Sequence, residues 1–438
     1  MNHASPPAET LSTSRFVRAC LRLPVDRTPV WFLRQAGRYM PEYMAVRRHH
    51  SLLDICRNPD IAAEVTITAA ERLGVDAAII FADLLLPLTP MGLDFDFIGG
   101  EGPVVKTPLR TFEQVQALRT DRADDLQYVA RAIEKVAAHF APPRADGDQL
   151  GIIGFCGAPF TLASYMIEGG SSRNYIHAKR MMYASGLPTS ELSSRTGSSE
   201  DVSSRPKSAS FADAAERSQH LQTSAPSPEL SSRPESAPFA DAVERPASGV
   251  TPGPWALGPE PSSAAWPLLM EKLVNLLTSF AQQQVEAGAD VIQVFDSWAG
   301  ALSVQDYRDY CLDPTTELIR RIRAMGVPVI YFGVDTASLL PTFRETGADV
   351  IGLDWRIPLD EGWQAVGHGT AVQGNLDPIS LFAPEDVLEA RVKEILQAAN
   401  GRPGHIFNLG HGIVPETPVE AVINVCNWVK QHGKSTSA

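Results

Sequence analysis

Cysteine is scarce in this 438-residue chain, and its placement argues against two common stabilising elements. The cysteines lie far apart and form no Cys-x-x-Cys pair: Cys20, Cys56, Cys156, Cys311 and Cys426. This spacing disfavours both a disulfide framework and a thiolate metal site, so we expect no bound metal. An odd number of cysteines also fits the reducing cytosol.

The sequence also lacks an excess of positive charge and any long apolar run. A formal net charge of −13 disfavours non-specific binding to nucleic acid or to an anionic membrane. No run of about 18 apolar residues is present to cross a bilayer, and residues 1–10 lack the basic-then-apolar order of a signal peptide. We therefore expect a cytoplasmic protein that binds neither nucleic acid nor membrane.

The most distinctive stretch that is present spans residues 29–43. The apolar run PVWFL at residues 29–33 leads directly into RQAGR at residues 34–38. Each guanidinium of Arg34 and Arg38 offers a rigid fork of donors that fits a carboxylate or a phosphate. Ala36 and Gly37 leave room for a ligand, and Gly37 also frees the backbone from Cβ sterics. Taken alone, the stretch is equally compatible with a surface loop whose arginines pair with nearby acids.

Segments of strand length alternate with helical segments along most of the chain. Asn58-Pro59 predicts the start of a helix that ends at Leu73-Gly74. The helical spacing of apolar residues predicts further helices at 121–140 and 267–287. Strands are predicted at residues 29–33, 76–81, 151–155, 291–295, 328–332, 349–353, 370–373 and 405–409.

Eight β-then-α units predict an α/β fold, a single-domain (β/α)8 TIM-type barrel. Active sites of such barrels lie at the C-terminal ends of the strands. Polar residues stand at these ends repeatedly: Arg34, Asp83, Ser297, Asp354 and His411. We therefore expect these positions to face one site.

A low-complexity insertion interrupts the predicted barrel at residues 186–263. Of these 78 residues 29 are Ser or Pro, too many to support a packed core. The sequence of residues 203–217 recurs with few changes at 231–245, which indicates a tandem duplication rather than a solenoid. We predict a disordered insertion between barrel segments 15–185 and 264–431, with short tails at 1–14 and 432–438.

Five motifs resemble the uroporphyrinogen decarboxylase family. They are RQAGRYMPEY at 34–43, GFCGAPFTL at 154–162 with Tyr165, FDSWAG at 295–300, QGNLDP at 373–378 and FNLGHG at 407–412. The resemblance covers residues 24–428 except for the insertion, which the usual family pattern lacks. It implies a cofactor-free enzyme that removes the four acetate carboxyls of uroporphyrinogen III to give coproporphyrinogen III, in the haem and chlorophyll precursor pathway. It also implies a cytosolic homodimer of barrels.

Three residues are expected to carry most of the chemistry. Uroporphyrinogen bears eight carboxylates, and Arg34 and Arg38 supply fixed cations for them, each charge-assisted hydrogen bond contributing about 1.5–3 kcal/mol. Decarboxylation of a pyrrole acetate needs an electron sink, which protonation of a ring carbon creates. Asp83 can accept the pyrrole N–H bonds and stabilise the resulting positive charge. An ordinary helix N-cap or salt bridge is the competing interpretation of Asp83.

The remaining candidates are expected to bind the substrate around this centre, and Tyr165 and His411 are also assigned to the catalytic set. Tyr165 and Ser297 are predicted to hydrogen-bond carboxylates, and His411 to bind a carboxylate or relay a proton. Ser297 lies in no Gly-x-Ser-x-Gly elbow, so we do not expect a nucleophilic serine. The backbone of Gln35, Ala36 and Gly37 is expected to contact the substrate. Asp296 and Asp354 are left out of the catalytic set, because we expect backbone groups to satisfy their carboxylates.

Two functions of other classes compete with this prediction. One is a zinc-dependent methyltransferase acting on a corrinoid or a thiol, which needs a His-x-Cys type of zinc site that the sequence lacks. The other is a non-catalytic tetrapyrrole-binding protein that has kept the fold. The joint presence of every candidate side chain argues against that loss of function.

Overall fold

The computed structural model of the chain describes residues 14–98, 102–186 and 261–434. The predicted disordered N-terminal tail, the C-terminal tail and the predicted insertion lie outside the described residues except at their edges, so those assignments stay predictions. Among the residues described, no helix combines the length and the apolarity needed to span a membrane.

Nine strands are found in the described part of the chain. In chain order they are β1 (Ala77–Ile79), β2 (Phe95–Ile98), β3 (Gly102–Val105), β4 (Gly151–Gly157), β5 (Val291–Asp296), β6 (Val329–Gly333), β7 (Val350–Gly352), β8 (Ala371–Gln373) and β9 (His405–Ile406). Seven of them form one parallel sheet in the order β1-β4-β5-β6-β7-β8-β9, and β2 pairs with β3 as an antiparallel hairpin. The parallel order follows the chain, as expected when each strand is followed by a crossover helix.

The helices of the described residues surround this sheet. They are α1 (Arg15–Cys20), α2 (Pro41–Arg47), α3 (Leu52–Arg57), α4 (Pro59–Leu73), α5 (Leu88–Met91), α6 (Phe112–Ala117), α7 (Gln127–Phe140), α8 (Pro159–Glu168), α9 (Ile176–Ala184), α10 (Ala265–Glu286), α11 (Val304–Tyr310), α12 (Leu312–Arg323), α13 (Leu340–Glu345), α14 (Leu359–Val366), α15 (Glu385–Ala399) and α16 (Val419–His432). Short 3-10 turns occur at Ala123–Leu126, Ala299–Ala301, Ala337–Leu339 and Pro378–Phe382.

The best-marked predicted helix, α4, begins and ends where its signals stand. The Asn58 side chain accepts hydrogen bonds from the N–H groups of Asp60 and Ile61, and Gly74 ends the helix with φ of 66°. That left-handed conformation is one that glycine adopts without a Cβ penalty. The predictions for α7 and α10 also hold to within a few residues, apart from a 3-10 turn that precedes α7.

The predicted strand at residues 29–33 is not a regular strand. Its Val30 makes a single parallel bridge to Phe407, whose N–H donates to the Pro29 carbonyl at 2.9 Å. On its other side the Asp76 N–H donates to the Val30 carbonyl at 2.7 Å, but the Val30 N–H turns to the Asp76 carboxylate at 2.9 Å. The ladder is lost because a side chain takes the donor that a neighbouring strand would use. The segment nevertheless joins β9 to the residue preceding β1, which curls the sheet in a manner consistent with a TIM-like barrel.

A buried ion network anchors this segment. Asp76 has no solvent exposure, and its carboxylate accepts hydrogen bonds from both terminal nitrogens of the Arg27 guanidinium at 2.7 Å. Arg15 bonds Asp148 at 2.6 Å and reaches Asp76 at 3.4 Å. Buried charges persist only when paired and hydrogen-bonded in this way. The network therefore holds the start of the segment that delivers Arg34.

Candidate active site

The turn that carries Arg34 is strained and is supported from several sides. Arg34 has φ of 60°, which is unfavourable for a residue with a Cβ and tends to mark functional sites. The N–H of the preceding Leu33 donates to the Asn408 side chain at 2.9 Å, and the Leu33 carbonyl accepts from the Ile413 N–H at 3.0 Å. Both contacts tie the turn to the loop that follows β9.

The guanidinium groups of Arg34 and Arg38 make no ion pair or hydrogen bond with any residue that the structure describes. Both side chains are exposed to solvent, yet burial lowers the pKa of Arg34. Tyr165 opposes this shift, Arg38 adds to it by repulsion, and Asp83 opposes it. A side chain that water reaches but that protein surrounds lies in a concave recess. The recess therefore presents two guanidinium groups that no described residue holds in an ion pair.

Asp83 lies four residues beyond β1 and faces the same recess. Its Oδ1 accepts the Leu85 N–H at 2.9 Å, an Asx turn, whereas α5 begins only at Leu88. No cation of the described residues lies within salt-bridge distance of Asp83. The two competing interpretations, a helix N-cap and a salt bridge, therefore do not fit. Burial raises the pKa of Asp83 to about 6, against the lowering effects of the Leu85 N–H and of Arg34.

Tyr165 projects from α8 and is half-buried. Burial raises the pKa of Tyr165 to about 12, and the charge of Asp83 acts in the same direction, whereas Trp298 and Arg34 lower it. Its ring packs edge-on against Trp298, with 5.7 Å between centroids. Ser297 stands directly before Trp298 at the end of β5, partly exposed and without a side-chain hydrogen bond to the described residues.

His411 reaches the recess from the loop after β9. Its ring stands edge-on to Trp355 at 5.8 Å, and burial followed by the charge of Arg34 lowers its pKa. The next residue, Gly412, lies against the Arg34 side chain so closely that an added Cβ would come within 2.7 Å of Arg34 Cγ. Glycine at this position therefore allows the β9 loop and the arginine turn to meet.

The structure thus brings five candidate residues within electrostatic range of one another: Arg34, Arg38, Asp83, Tyr165 and His411. Ser297 precedes Trp298, the residue against which the Tyr165 ring packs. Their roles in substrate binding and catalysis stay predictions.

The backbone groups of Gln35, which are expected to contact substrate, take part in the turn itself. Its N–H donates to the Phe32 carbonyl at 3.0 Å, and its carbonyl accepts the Tyr39 hydroxyl at 2.7 Å. Its buried side chain bonds the Ala77 carbonyl at 3.2 Å. Gln35 supports the turn because tertiary contacts take its polar groups. The N–H groups of Ala36 and Gly37 donate to no described residue and remain available to a ligand.

The two acids left out of the catalytic set are both satisfied, but by different groups. Asp354 accepts the backbone N–H groups of Asp335 and Arg356, as expected. Asp296 accepts the hydroxyls of Thr161 at 2.7 Å and Tyr331 at 2.6 Å, and a backbone hydrogen bond from Thr161 adds to these side-chain partners.

Sequence reasoning passed over two features of this region. Asn408 holds the arginine turn, and only its place within the FNLGHG motif could have signalled this. Burial and the charge of Asp83 raise the pKa of the Cys56 thiol, and Arg57 and Arg47 oppose this rise, so two further arginines lie within electrostatic range of that thiol. Among the described residues, no group of three or more His, Cys, Asp or Glu side chains is arranged to bind a metal.

A recess with unneutralised guanidinium groups at the carboxyl ends of a parallel sheet is typical of α/β proteins that bind small, highly charged anions. Comparison with known protein families identifies the family within that class to which the chain belongs. The family model described as Uroporphyrinogen decarboxylase (URO-D) matches residues 11–192 and 261–432, and the chain belongs to this family.

Individual relatives agree with the family model. The chain is 50% identical over 420 residues to a uroporphyrinogen decarboxylase from Koribacter versatilis, covering 96% of each chain. It is 42% identical over 419 residues to one from Solibacter usitatus, covering 96% of this chain and 97% of that protein. Among solved structures, a methyltransferase from Methanosarcina mazei matches with a TM-score of 0.64, 16% identity and coverage of 96% of this chain and 99% of that one. At this identity the likeness concerns the fold alone.

Proposed function

We propose that this chain is a cofactor-independent carboxy-lyase that removes the four acetate carboxyls of uroporphyrinogen III to give coproporphyrinogen III in tetrapyrrole biosynthesis. Family membership supports the reaction. The observation that carries it at the site is the pair of unneutralised arginines, Arg34 and Arg38, beside the desolvated carboxyl of Asp83. A polyanionic substrate supplies the negative charge that the described residues do not.

Binding begins with the carboxylates. Arg34 and Arg38 each fork onto a carboxylate of the macrocycle, and the free N–H groups of Ala36 and Gly37 add donors beside them. Because Arg34 is already partly desolvated, its charge-assisted bond competes with less bulk water. Tyr165 and Ser297 donate hydroxyl hydrogen bonds to further carboxylates.

Asp83 governs the chemical step. Its free carboxylate oxygen accepts pyrrole N–H groups, and its negative charge stabilises the ring cation that forms when a pyrrole carbon is protonated. Loss of CO2 then returns the electron pair to the ring and leaves an exocyclic methylene. Protonation of the methylene carbon gives the methyl group, and loss of the proton from the ring carbon restores the neutral pyrrole. A preorganised charge in a desolvated recess needs little reorganisation, so it stabilises the cationic state more than the neutral substrate. His411 binds a carboxylate or relays a proton at the edge of the recess.

The proposal extends to the architecture and assembly. Residues 29–33 complete the curled sheet as the eighth unit of a (β/α)8 barrel, and two such barrels form a cytoplasmic homodimer. Light scattering of the eluting protein measures the assembly, and a monomeric mass at micromolar concentration would contradict it.

The decisive experiment is anaerobic incubation with reduced uroporphyrinogen III, with and without a chelator, followed by oxidation and chromatography of the porphyrins. We expect products with seven, six, five and four carboxyls to appear in turn, unaffected by the chelator. Products that vanish with the chelator would favour a metal-dependent reaction. Binding without conversion would favour a tetrapyrrole-binding protein.

A further inference from the structure

A hydroxyl buried beneath the candidate site joins two of its β/α units. Thr161 stands in the first turn of α8, which follows β4, and has no solvent exposure. Its Oγ1 donates to Asp296 Oδ1 at 2.7 Å and accepts the Trp298 N–H at 3.2 Å. Thr161 therefore binds β5 and its loop on both sides of Ser297.

The same helix carries Tyr165 one turn further on. Residues four apart on a helix share a face, so the position of the first turn sets the position of Tyr165. The Tyr165 ring packs against the ring of Trp298, and the backbone N–H of Trp298 donates to the Thr161 hydroxyl. Asp296 and Thr161 thus determine how Tyr165 lies relative to Ser297, although the two residues come from different β/α units.

A second hydroxyl holds the other oxygen of the Asp296 carboxylate. Asp296 Oδ2 accepts the Tyr331 hydroxyl at 2.6 Å, and this hydroxyl lies 2.6 Å from that of Tyr307. Asp296, Tyr331 and Tyr307 are all fully buried, and none of the described cations pairs with Asp296. A buried carboxylate with few donors depends strongly on each of them. Burial raises the pKa of Asp296 to about 6, against the lowering effect of these hydrogen bonds.

We propose that Asp296 and Thr161 form a positioning pair that sets the distance between the hydroxyls of Tyr165 and Ser297 and thereby aligns two substrate contacts. The pair touches no substrate and acts through α8 and the β5 loop. This assignment rests on the proposed function, in which Tyr165 and Ser297 bind substrate carboxylates.

The test compares three variants in the uroporphyrinogen assay. Thr161→Val keeps the shape but removes the hydroxyl, Thr161→Ser restores it, and Tyr331→Phe removes the other hydroxyl from the same carboxylate without touching α8. A purely structural role predicts that Thr161→Val and Tyr331→Phe lower the melting temperature and the activity alike. A positioning role predicts similar melting temperatures for Thr161→Val and Tyr331→Phe. It also predicts a kcat/KM about 10- to 100-fold below the wild-type value in Thr161→Val, a smaller loss in Tyr331→Phe, and rescue by Thr161→Ser.

A double-mutant cycle identifies the residue through which Thr161 acts. In a Tyr165→Phe background, Thr161→Val should cost little further kcat/KM, because the hydroxyl that it positions is already absent. Fully additive losses would overturn the proposal, as would wild-type kcat/KM in Thr161→Val, and in either case the proposed function would stand. If the wild type itself fails to convert uroporphyrinogen, the proposed function fails. The crystal structure of Thr161→Val then decides the positioning, since an unchanged 5.7 Å between the Tyr165 and Trp298 rings would refute it.

Discussion

Replacing Asp83 by Asn removes one negative charge and should change kcat and the free energy of unfolding in opposite directions. Asn keeps an acceptor for the Leu85 N–H and leaves no cavity, but it removes the negative charge and brings donors that oppose the pyrrole N–H groups. Losing one preorganised charge-stabilising group costs about 2.7–4 kcal/mol in the transition state. We therefore expect kcat to fall by at least about 10²-fold, and Asp83→Glu, which displaces the charge by one methylene, to be impaired less.

The same substitution should stabilise the fold at neutral pH. Folding raises the pKa of Asp83 from 3.8 to about 6, so the folded state binds this proton more tightly than the unfolded chain. Stability from this group is therefore present below pH 3.8 and is lost as the pH rises to about 6. At 1.36 kcal/mol per pKa unit the loss reaches at most about 3 kcal/mol, and the partial exposure of the side chain reduces it.

Urea unfolding at pH 7.5, in parallel with single-turnover rates, measures both effects. We expect the Asn variant to unfold at a higher urea concentration than the wild type while it is nearly inactive, and the gap in stability to narrow towards pH 4. A wild-type rate would rule out charge stabilisation by Asp83 and would require another group to carry the mechanism. Reduced stability at pH 7.5 would refute the desolvation argument.

Three further predictions concern separate parts of the molecule. Arg34→Lys and Arg38→Lys should each lower kcat/KM by about tenfold or more, because lysine cannot form the bidentate fork; near-wild-type values in both would remove the anion-binding role. Burial lowers the pKa of His405 from 6.5 to about 4, so its contribution to stability is present above pH 6.5 and falls by about 3 kcal/mol towards pH 4. The free energy of unfolding of His405→Gln, measured in urea as a function of pH, should not show this loss. The same pH dependence in the variant and the wild type would contradict the prediction. Asp76→Asn should lower the free energy of unfolding by about 3–5 kcal/mol, because Arg27 is left buried and unpaired; a change below about 1 kcal/mol in urea unfolding would show that water replaces the carboxylate.

The sequence determined those features that depend on neighbours along the chain. Strands and helices could be read from local periodicity and caps, as with Asn58 and Gly74 around α4. Arg34, Asp83, Ser297 and His411 could be predicted to share one site because the carboxyl ends of parallel strands lie at one edge of a sheet. Tyr165, which stands within α8, was assigned only from the motif resemblance.

Only the tertiary structure decided how the arginine turn is held and what it leaves free. Leu33 is tied to Asn408, 375 residues away, and no local pattern encodes such a partner. The polar groups of Gln35 bond other residues of the turn and the Ala77 carbonyl of β1. The Val30 N–H likewise goes to the Asp76 carboxylate, so a stretch with the composition of a strand does not form a regular one. Hydrogen-bond partners and desolvation depend on what folding brings close in space, whereas sequence patterns report only what is near along the chain.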